Sequence, residues 1–273
     1  TNHLNTDFEL PSAVKGFEHS TTGGDREWNP SDANDPSVPS EAAGYDALSD
    51  SFIVSFAAVT GLTLAAPTGT DTSITLEDTA TLSRGDFLYL SNCTGSDLFQ
   101  VSAIDDDKNQ VSHTTDDDLE PGNKTDILGS VYGPDDDILR FVSARYYVRD
   151  DGDNTDSTGR PIPTLFRSPT NNDDDGQPLV PWVENLQVLY GEDTGGTKSA
   201  DTFVNANEVS NWEKVRALRL AILLRSGEEL GRAMDRGVDD EPWQVLDFEF
   251  PNDSSRVRRR MYSKTIEIRN GYL

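Results

Sequence analysis

The clearest structural signal in this sequence is Val215-Arg-Ala-Leu-Arg-Leu-Ala-Ile-Leu-Leu-Arg225. Its first half alternates in polarity with a period of two, which is typical of a β-strand. The run Leu220-Ala-Ile-Leu-Leu224 is apolar on both faces, and this predicts a central strand that is covered on both sides. The apolar side chains on one of these faces are Leu218, Leu220, Ile222 and Leu224.

Two further strand-like stretches flank this one in a fixed order. They are Val183-Glu-Asn-Leu-Gln-Val-Leu-Tyr190-Gly191 and Arg258-Arg-Arg-Met-Tyr-Ser-Lys-Thr-Ile-Glu-Ile-Arg-Asn270. Shorter runs rich in β-branched and aromatic residues, separated by turn residues, occur from Ser51 onwards. This spacing predicts a mainly β chain of antiparallel sheets with long, irregular acidic loops.

An earlier pair of stretches has its own pattern. In Arg84-Gly-Asp-Phe-Leu-Tyr-Leu-Ser-Asn-Cys93 a Gly-Asp turn leads into a strand that ends at a cysteine, and Asp97-Leu-Phe-Gln-Val-Ser102 follows. Taken in order with the three C-terminal stretches, the pair resembles the signature of minor type IV pilins of the pilus assembly protein W family. The resemblance runs from about Ser49 to the C terminus.

The resemblance implies an α+β pilin-like fold in a full-length protein, whose long N-terminal helix is absent from this sequence. The sequence shows no start methionine, signal peptide or apolar run near the ~18 residues of a membrane span. We therefore expect the chain to be the globular headpiece of a membrane-anchored pilin. The missing helix is expected to pack on the face of Leu218, Leu220, Ile222 and Leu224.

The family resemblance also implies the location and partners of the protein. The headpiece is expected in the periplasm, anchored through the helix to the inner membrane, and later at the tip of an extracellular pilus. The implied partners are other minor pilins and the major pilin, and no catalysis or small-molecule substrate is implied. Two alternatives are a minor pseudopilin of type II secretion and a secreted carbohydrate-binding or carbohydrate-active β-domain with exposed tryptophans (Trp28, Trp182, Trp212 and Trp243).

The net charge of the chain indicates which classes of binding partner are not expected. With 49 acidic against 23 basic residues, the net charge is −26, so direct binding of nucleic acid or anionic lipid over most of the surface is not expected. Screening at high ionic strength relieves the self-repulsion of such a chain, so we expect a salt-adapted protein. Arg256 and Arg258–Arg260 form a basic cluster. It is either paired with local carboxylates such as Asp247, Glu249 or Asp253, or it serves as a docking patch for an acidic neighbouring subunit or as a weak contact to DNA.

The composition changes near residue 48. Residues 1–48 are rich in Ser, Thr, Asn, Asp, Gly and Pro without a sustained period, which predicts an irregular N-terminal segment. Residues 49–273 form the β-rich headpiece, divisible into two sub-sheets at about 49–137 and 138–273. Pro178–Glu184 is interpreted as a single helical turn.

A calcium site is implied by the resemblance at the loop that follows Tyr190-Gly191. Family members have an Asp- and Gly-rich turn here, and Asp193 and Asp201 stand at those positions, with Glu192 nearby. Oxygen-rich sites of this kind suit calcium; the alternative is a plain hairpin turn. The same loop nearly spells a phosphate-binding motif, but Thr197 separates Gly196 from Lys198, so we exclude nucleotide binding.

Cys93 is the one cysteine of the chain. It is either a buried, inert thiol or one half of a disulfide. In relatives a cysteine commonly follows the N-terminal helix, so the resemblance places the partner in the missing N-terminal region. The three histidines are isolated and do not stand at metal-ligand spacing.

Overall fold

The computed structural model describes residues 4, 12–18, 48–69, 71–115, 118–119, 121–157, 159–169, 176–227, 242–251 and 257–268. Antiparallel strands dominate these residues, as expected from the sequence, and the mainly β fold class is confirmed. Within the same ranges the helical elements are two single turns of 3₁₀ helix, Ala206–Glu208 and Trp212–Lys214. None of the helices described is both long and apolar enough to cross a membrane.

The strands lie in the following order along the chain. They are β1 (Val14–Phe17), β2 (Ser51–Val59), β3 (Ser73–Thr75), β4 (Phe87–Ser91), β5 (Ser96–Gln100), β6 (Ala103–Asp105), β7 (Gln110–Ser112), β8 (Asp137–Thr155), β9 (Pro161–Pro169), β10 (Gln177–Pro181), β11 (Val183–Glu192), β12 (Thr202–Val204), β13 (Val215–Arg225), β14 (Trp243–Val245), β15 (Phe248–Phe250) and β16 (Arg259–Glu267).

The chain divides into two compact units. The first contains Thr1–Pro11 and Ser55–Val142, and the second contains Ser12–Val54 and Ser143–Leu273. The boundaries therefore fall inside β2 and β8, whereas the sequence-based division falls at residues 137 and 138.

The first unit is built around the hairpin β4–β5, whose strand β4 also pairs with the start of β8. A small sheet of order β3-β7-β6 lies in the same unit. The core contains Leu88, Leu90, Phe99, Val111 and Ile138, which are almost fully buried. This packing explains why short apolar strands separated by polar turns form a stable unit, because each strand contributes its apolar face to one cluster.

The second unit contains a four-stranded antiparallel sheet of order β12-β11-β13-β16, here called the C-terminal sheet. β13 is central, as its apolar run predicts, and pairs with β11 on one side and β16 on the other. The same unit holds the pairing of β1 with the start of β2, and the pairing of β9 with β8 and β10.

Two short segments differ from the sequence-based expectations. Val14–Phe17, inside the segment expected to be irregular, is a strand, and Val14 and Phe17 are buried. Pro178–Glu184 is not helical, because β10 ends at Pro181 and β11 begins at Val183. Most of residues 1–48, including Trp28, lies outside the described residues.

Candidate assembly surface

One face of the C-terminal sheet carries the side chains expected to receive a helix. The register pairs Leu218 with Ile266, Leu220 with Lys264, Ile222 with Tyr262 and Leu224 with Arg260. Directly paired residues of antiparallel strands share a face. The apolar members of this face on β13 and β16, here called the apolar strip, are Leu218, Leu220, Ile222, Leu224, Tyr262 and Ile266.

The exposure of this face increases from β11 towards β16. Val188 and Tyr190 on β11 are buried, and Leu220, Ile222 and Leu224 on β13 are half-buried against the same cluster. On β16, Tyr262 is 51% exposed and Ile266 is 47% exposed. Leu218 is 5% exposed and packs with Val14, Phe52 and Val148 from other strands of the same unit. The β13 side of the apolar strip is thus covered by the protein's own side chains, and the β16 side is open. Its cover by a helix stays a prediction.

The opposite face of β13 is covered differently. Ala221 and Leu223 are fully buried and pack in a cluster with Val245 and Phe250 of the hairpin β14–β15. The central strand therefore has apolar contacts on both faces. This arrangement explains why its sequence is apolar in both registers of the β pattern.

The three carboxylates predicted as calcium ligands lie in or next to the loop between β11 and β12. Glu192 is buried and accepts hydrogen bonds from the Ser210 hydroxyl (2.5 Å), the Ser210 amide (3.2 Å) and the Asn211 amide (2.9 Å). Burial alone raises the pKa of Glu192, but these hydrogen bonds outweigh it and leave the pKa below its usual value.

Asp193 and Asp201 each organise a separate part of this loop. Asp193 accepts from the amides of Thr197 (2.8 Å) and Lys198 (2.9 Å). Asp201 accepts from the Thr194 hydroxyl (2.8 Å) and the Gly195 amide (2.8 Å), and the Thr194 hydroxyl bond contributes most to lowering the pKa of Asp201.

This geometry does not fit one shared calcium site. The carboxylate oxygens of Glu192, Asp193 and Asp201 accept hydrogen bonds from separate N–H and O–H groups, whereas calcium needs six to eight oxygens turned towards one point. No group of three or more acidic, histidine or cysteine side chains suited to a metal occurs in the described ranges. Calcium binding at this loop stays a prediction, which calorimetry with about millimolar calcium tests.

Cys93 lies in the turn between β4 and β5, where it is free and exposed. The interpretation as a buried, inert thiol is therefore wrong. A turn residue at the end of an edge hairpin does not enter the core. The disulfide expected with a cysteine of the N-terminal region stays a prediction.

One arginine of the basic cluster forms an ion pair with a carboxylate that the sequence did not suggest, and Asp253, one of the carboxylates it did suggest, lies outside the described residues. Arg259 forms a two-pronged contact with Glu184 of β11, with Nε–Oε2 and Nη2–Oε1 distances of 2.5 and 3.0 Å. The side chains of Arg259 and Glu184 are only 3% and 9% exposed. Arg256 lies outside the described residues.

Three of the four tryptophans fall in the described part of the chain, and none of the three is exposed. Trp212 packs edge to face on Tyr190, with 4.9 Å between ring centroids. Trp182 lies against the guanidinium of Arg225, and Trp243 packs on the cluster of Val245. These rings offer no open platform of the kind that the carbohydrate-binding alternative needs.

Sequence reasoning missed Tyr262 and Ile266 as members of the apolar strip. Their signal is present in the alternation of Arg260, Tyr262, Lys264 and Ile266, but an apolar residue at every fourth position is weak evidence for a shared face. Only the register with β13 places both side chains beside Ile222 and Leu218.

Comparison with known proteins bears on this sheet. Residues 145–270 match the family of type IV pilus-assembly protein W. This range begins within β8 and contains the whole C-terminal sheet, so the resemblance to that family is confirmed for this part of the chain. No curated protein sequence matches the chain significantly.

Among solved structures, the chain is similar to a type IV-like pilin from Thermus thermophilus. The two share 16% sequence identity, and the similarity covers 68% of this chain and 84% of that chain with a TM-score of 0.22.

Proposed function

We propose that this protein is a minor type IV pilin, a structural component without catalytic activity. It helps to prime pilus assembly at the fibre tip and supports piliation, twitching motility and adhesion. Its partners are other minor pilins and the major pilin. An N-terminal helix anchors the headpiece to the inner membrane before the protein enters the extracellular pilus. The family match to residues 145–270 supports this proposal.

The apolar strip is the observation that carries the proposal. Tyr262 and Ile266, 51% and 47% exposed on the β16 side of the strip, form the part that another element can cover, because grouped exposed apolar side chains mark an association surface. Full burial of a side chain such as Ile266 stabilises by about 1.5–3 kcal/mol. A long apolar helix laid along β16 fits this surface, because its stripe of side chains buries Tyr262 and Ile266 together.

Complementation of a deletion strain tests the proposal. The full-length gene carrying Tyr262→Asp and Ile266→Asp is expressed in a strain that lacks the gene, and pili are counted by electron microscopy. We expect the unaltered gene to restore pili and the double variant to fail, because a carboxylate on the strip opposes burial beneath an apolar helix. Both positions are about half exposed, so the isolated headpiece variant should retain its melting temperature within a few degrees.

A matched control uses exposed apolar residues of the other unit. Val59 and Ile127 are 85% and 61% exposed, and Val59→Asp with Ile127→Asp should restore pili as well as the unaltered gene does. Normal piliation in the deletion strain would contradict the proposal. If protein secretion failed instead, the chain would be a type II secretion pseudopilin.

A further inference from the structure

The two edges of the C-terminal sheet differ in how far other parts of the chain cover them. Along β11 the edge is covered by β12 and by residues 48–50. The Leu186 amide donates to Ser49 Oγ (3.1 Å), and the Val188 amide donates to Asp50 Oδ2 (2.8 Å). At the other edge, β16 pairs with β13, and no further strand among the described ranges pairs with it. The β11 side of the sheet is therefore covered by β12 and by residues 48–50. At the other edge, the nine-residue strand β16 has β13 as its one partner strand among the described ranges.

The register shows which main-chain groups β16 presents. The Ser226 amide donates to the Arg258 carbonyl, and the Ile268 amide donates to the Arg216 carbonyl, both at 2.8 Å. Main-chain groups alternate in direction along an antiparallel strand, so the even-numbered residues between these two bonds point towards β13. The amides and carbonyls of Met261, Ser263 and Thr265 consequently point away from the sheet. An open row of this kind is a template for another strand.

The basic side chains along β16 determine whether an acidic or a basic strand is attracted to this edge. Arg260 and Lys264 are exposed and alternate with Tyr262 and Ile266 on the face of the apolar strip. Basic side chains on an edge repel basic segments, and they attract acidic ones. Because the chain as a whole carries a net charge of −26, an acidic segment meets repulsion over much of the surface and attraction here.

We propose that β16 binds an extended acidic segment of a partner protein as an added antiparallel strand. Main-chain hydrogen bonds to Met261, Ser263 and Thr265 hold the segment. Its Asp or Glu side chains lie beside Arg260 and Lys264, and apolar side chains lie beside Tyr262 and Ile266. On the face that it shares with the apolar strip, the segment therefore carries side chains at every second position of its sequence, and these are acidic and apolar in turn. The inference goes beyond the proposed function, since it holds whether or not the protein assembles into a pilus.

A synthetic peptide of about nine residues with this alternation tests the proposal. Binding to the purified chain is measured by calorimetry at a salt concentration at which the chain is folded. A second peptide carries Gln in place of each acidic residue. We expect the acidic peptide to bind at least about tenfold more tightly than the Gln peptide, and to weaken as salt is added.

Ser263→Pro separates strand addition from simple charge attraction. The Ser263 amide points outwards, so proline removes an outer donor and leaves the bonds to β13 in place. We expect Ser263→Pro to weaken acidic-peptide binding by about tenfold or more, whereas Ser263→Ala keeps the amide and binds normally. Arg260→Glu with Lys264→Glu should abolish the preference for the acidic peptide. Melting temperatures confirm that each variant is folded.

Several outcomes would overturn the proposal. One is equal binding of the acidic and Gln peptides, and another is equal binding by Ser263→Pro and Ser263→Ala. A dimer in solution that Ser263→Pro converts to a monomer would assign the edge to a second copy of this chain instead. A failure of peptide binding leaves the piliation result unaffected, so the two proposals are tested separately.

Discussion

Glu192 shows how a single carboxylate is retained inside this protein. It is 3% exposed, and an isolated buried carboxylate is costly. The Ser210 and Asn211 donors compensate for this cost and hold the start of the second 3₁₀ turn next to the end of β11. The ionised form is the one they stabilise, because a protonated carboxyl accepts fewer of these bonds.

Glu192→Gln should make the stability of the chain less dependent on pH. The pKa of Glu192 in the folded chain lies below the ordinary value of 4.5. Its contribution is therefore present above pH 4.5 and is lost as the pH falls through the folded-state pKa. We expect the melting temperature of Glu192→Gln to lie below that of the unaltered chain at neutral pH, with the gap closing below pH 4.5.

The control for this prediction is Glu208→Gln, which alters an exposed carboxylate in the first 3₁₀ turn. Its melting temperature should follow that of the unaltered chain at each pH. If the difference in melting temperature between Glu192→Gln and the unaltered chain stayed constant from neutral pH to pH 3, the role assigned to the ionised carboxylate would be wrong.

At the same scale, the sequence identified the important carboxylates but not their partners. Glu192, Asp193 and Asp201 were found through the family resemblance, as candidate ligands. Their role as hydrogen-bond acceptors depends partly on contacts such as Glu192 with Ser210, 18 positions apart. Such contacts depend on how the loops fold back, and local residue preferences carry little information about that.

Among the strands, the apolar and aromatic ones were predictable and the polar ones were not. β4 and β13 are close to their predicted ranges because each buries one or both faces. β10 contains Pro178 and Pro181 and is exposed throughout. An edge strand tolerates proline where no ladder bond is needed, so its sequence does not look like a strand. β1 was missed because four residues are too few to show a period.

The ion pair of Arg259 with Glu184 joins β16 to β11 across the central strand of the sheet. Removing one partner of a buried pair leaves the other charge uncompensated, at a cost of about 3–5 kcal/mol. We therefore expect Arg259→Met and Glu184→Met each to lower the free energy of unfolding by about that amount in urea titration.

The double variant separates the charge effect from packing. With both charges replaced by methionine, neither member of the pair is left buried without the other, and Arg225 keeps Asp156 at 3.9 Å. Stability should therefore recover to within about 1–2 kcal/mol of the unaltered chain. Arg225 also lies 3.8 Å from Glu184, so Glu184→Met should be the more costly single change. Additive losses in the double variant would contradict this account of the pair.

At the scale of the whole molecule, the sequence-based division after residue 137 lies five residues before the junction of the two units, which follows Val142. Both boundaries fall inside continuous strands, between Val54 and Ser55 and between Val142 and Ser143. A β pattern does not change where a strand passes from one core to another. The change in composition near residue 48 marks the start of the regular β pattern rather than a boundary between compact units.

The excess of acidic residues makes the stability of the whole chain a function of salt. A net charge of −26 on 273 residues opposes the compact state through self-repulsion. The screening length falls from about 10 Å at 0.1 M to about 3 Å at 1 M, so neighbouring acidic loops stop repelling one another over this range. We expect the melting temperature to rise steeply between 0.1 and 1 M NaCl, measured by circular dichroism.

A variant with fewer acidic residues shows whether screening is the cause. Asp107, Asp135 and Asp137 are exposed, and replacing the three by Asn changes the net charge from −26 to −23. This variant should melt higher than the unaltered chain at 0.1 M NaCl and should gain less from added salt, because less repulsion remains to be screened. Sucrose at matched osmolality does not screen charge, so it should raise the melting temperatures of both proteins by the same amount. A melting temperature that does not change with NaCl would show that self-repulsion does not limit stability, and the salt-adapted interpretation would then be wrong.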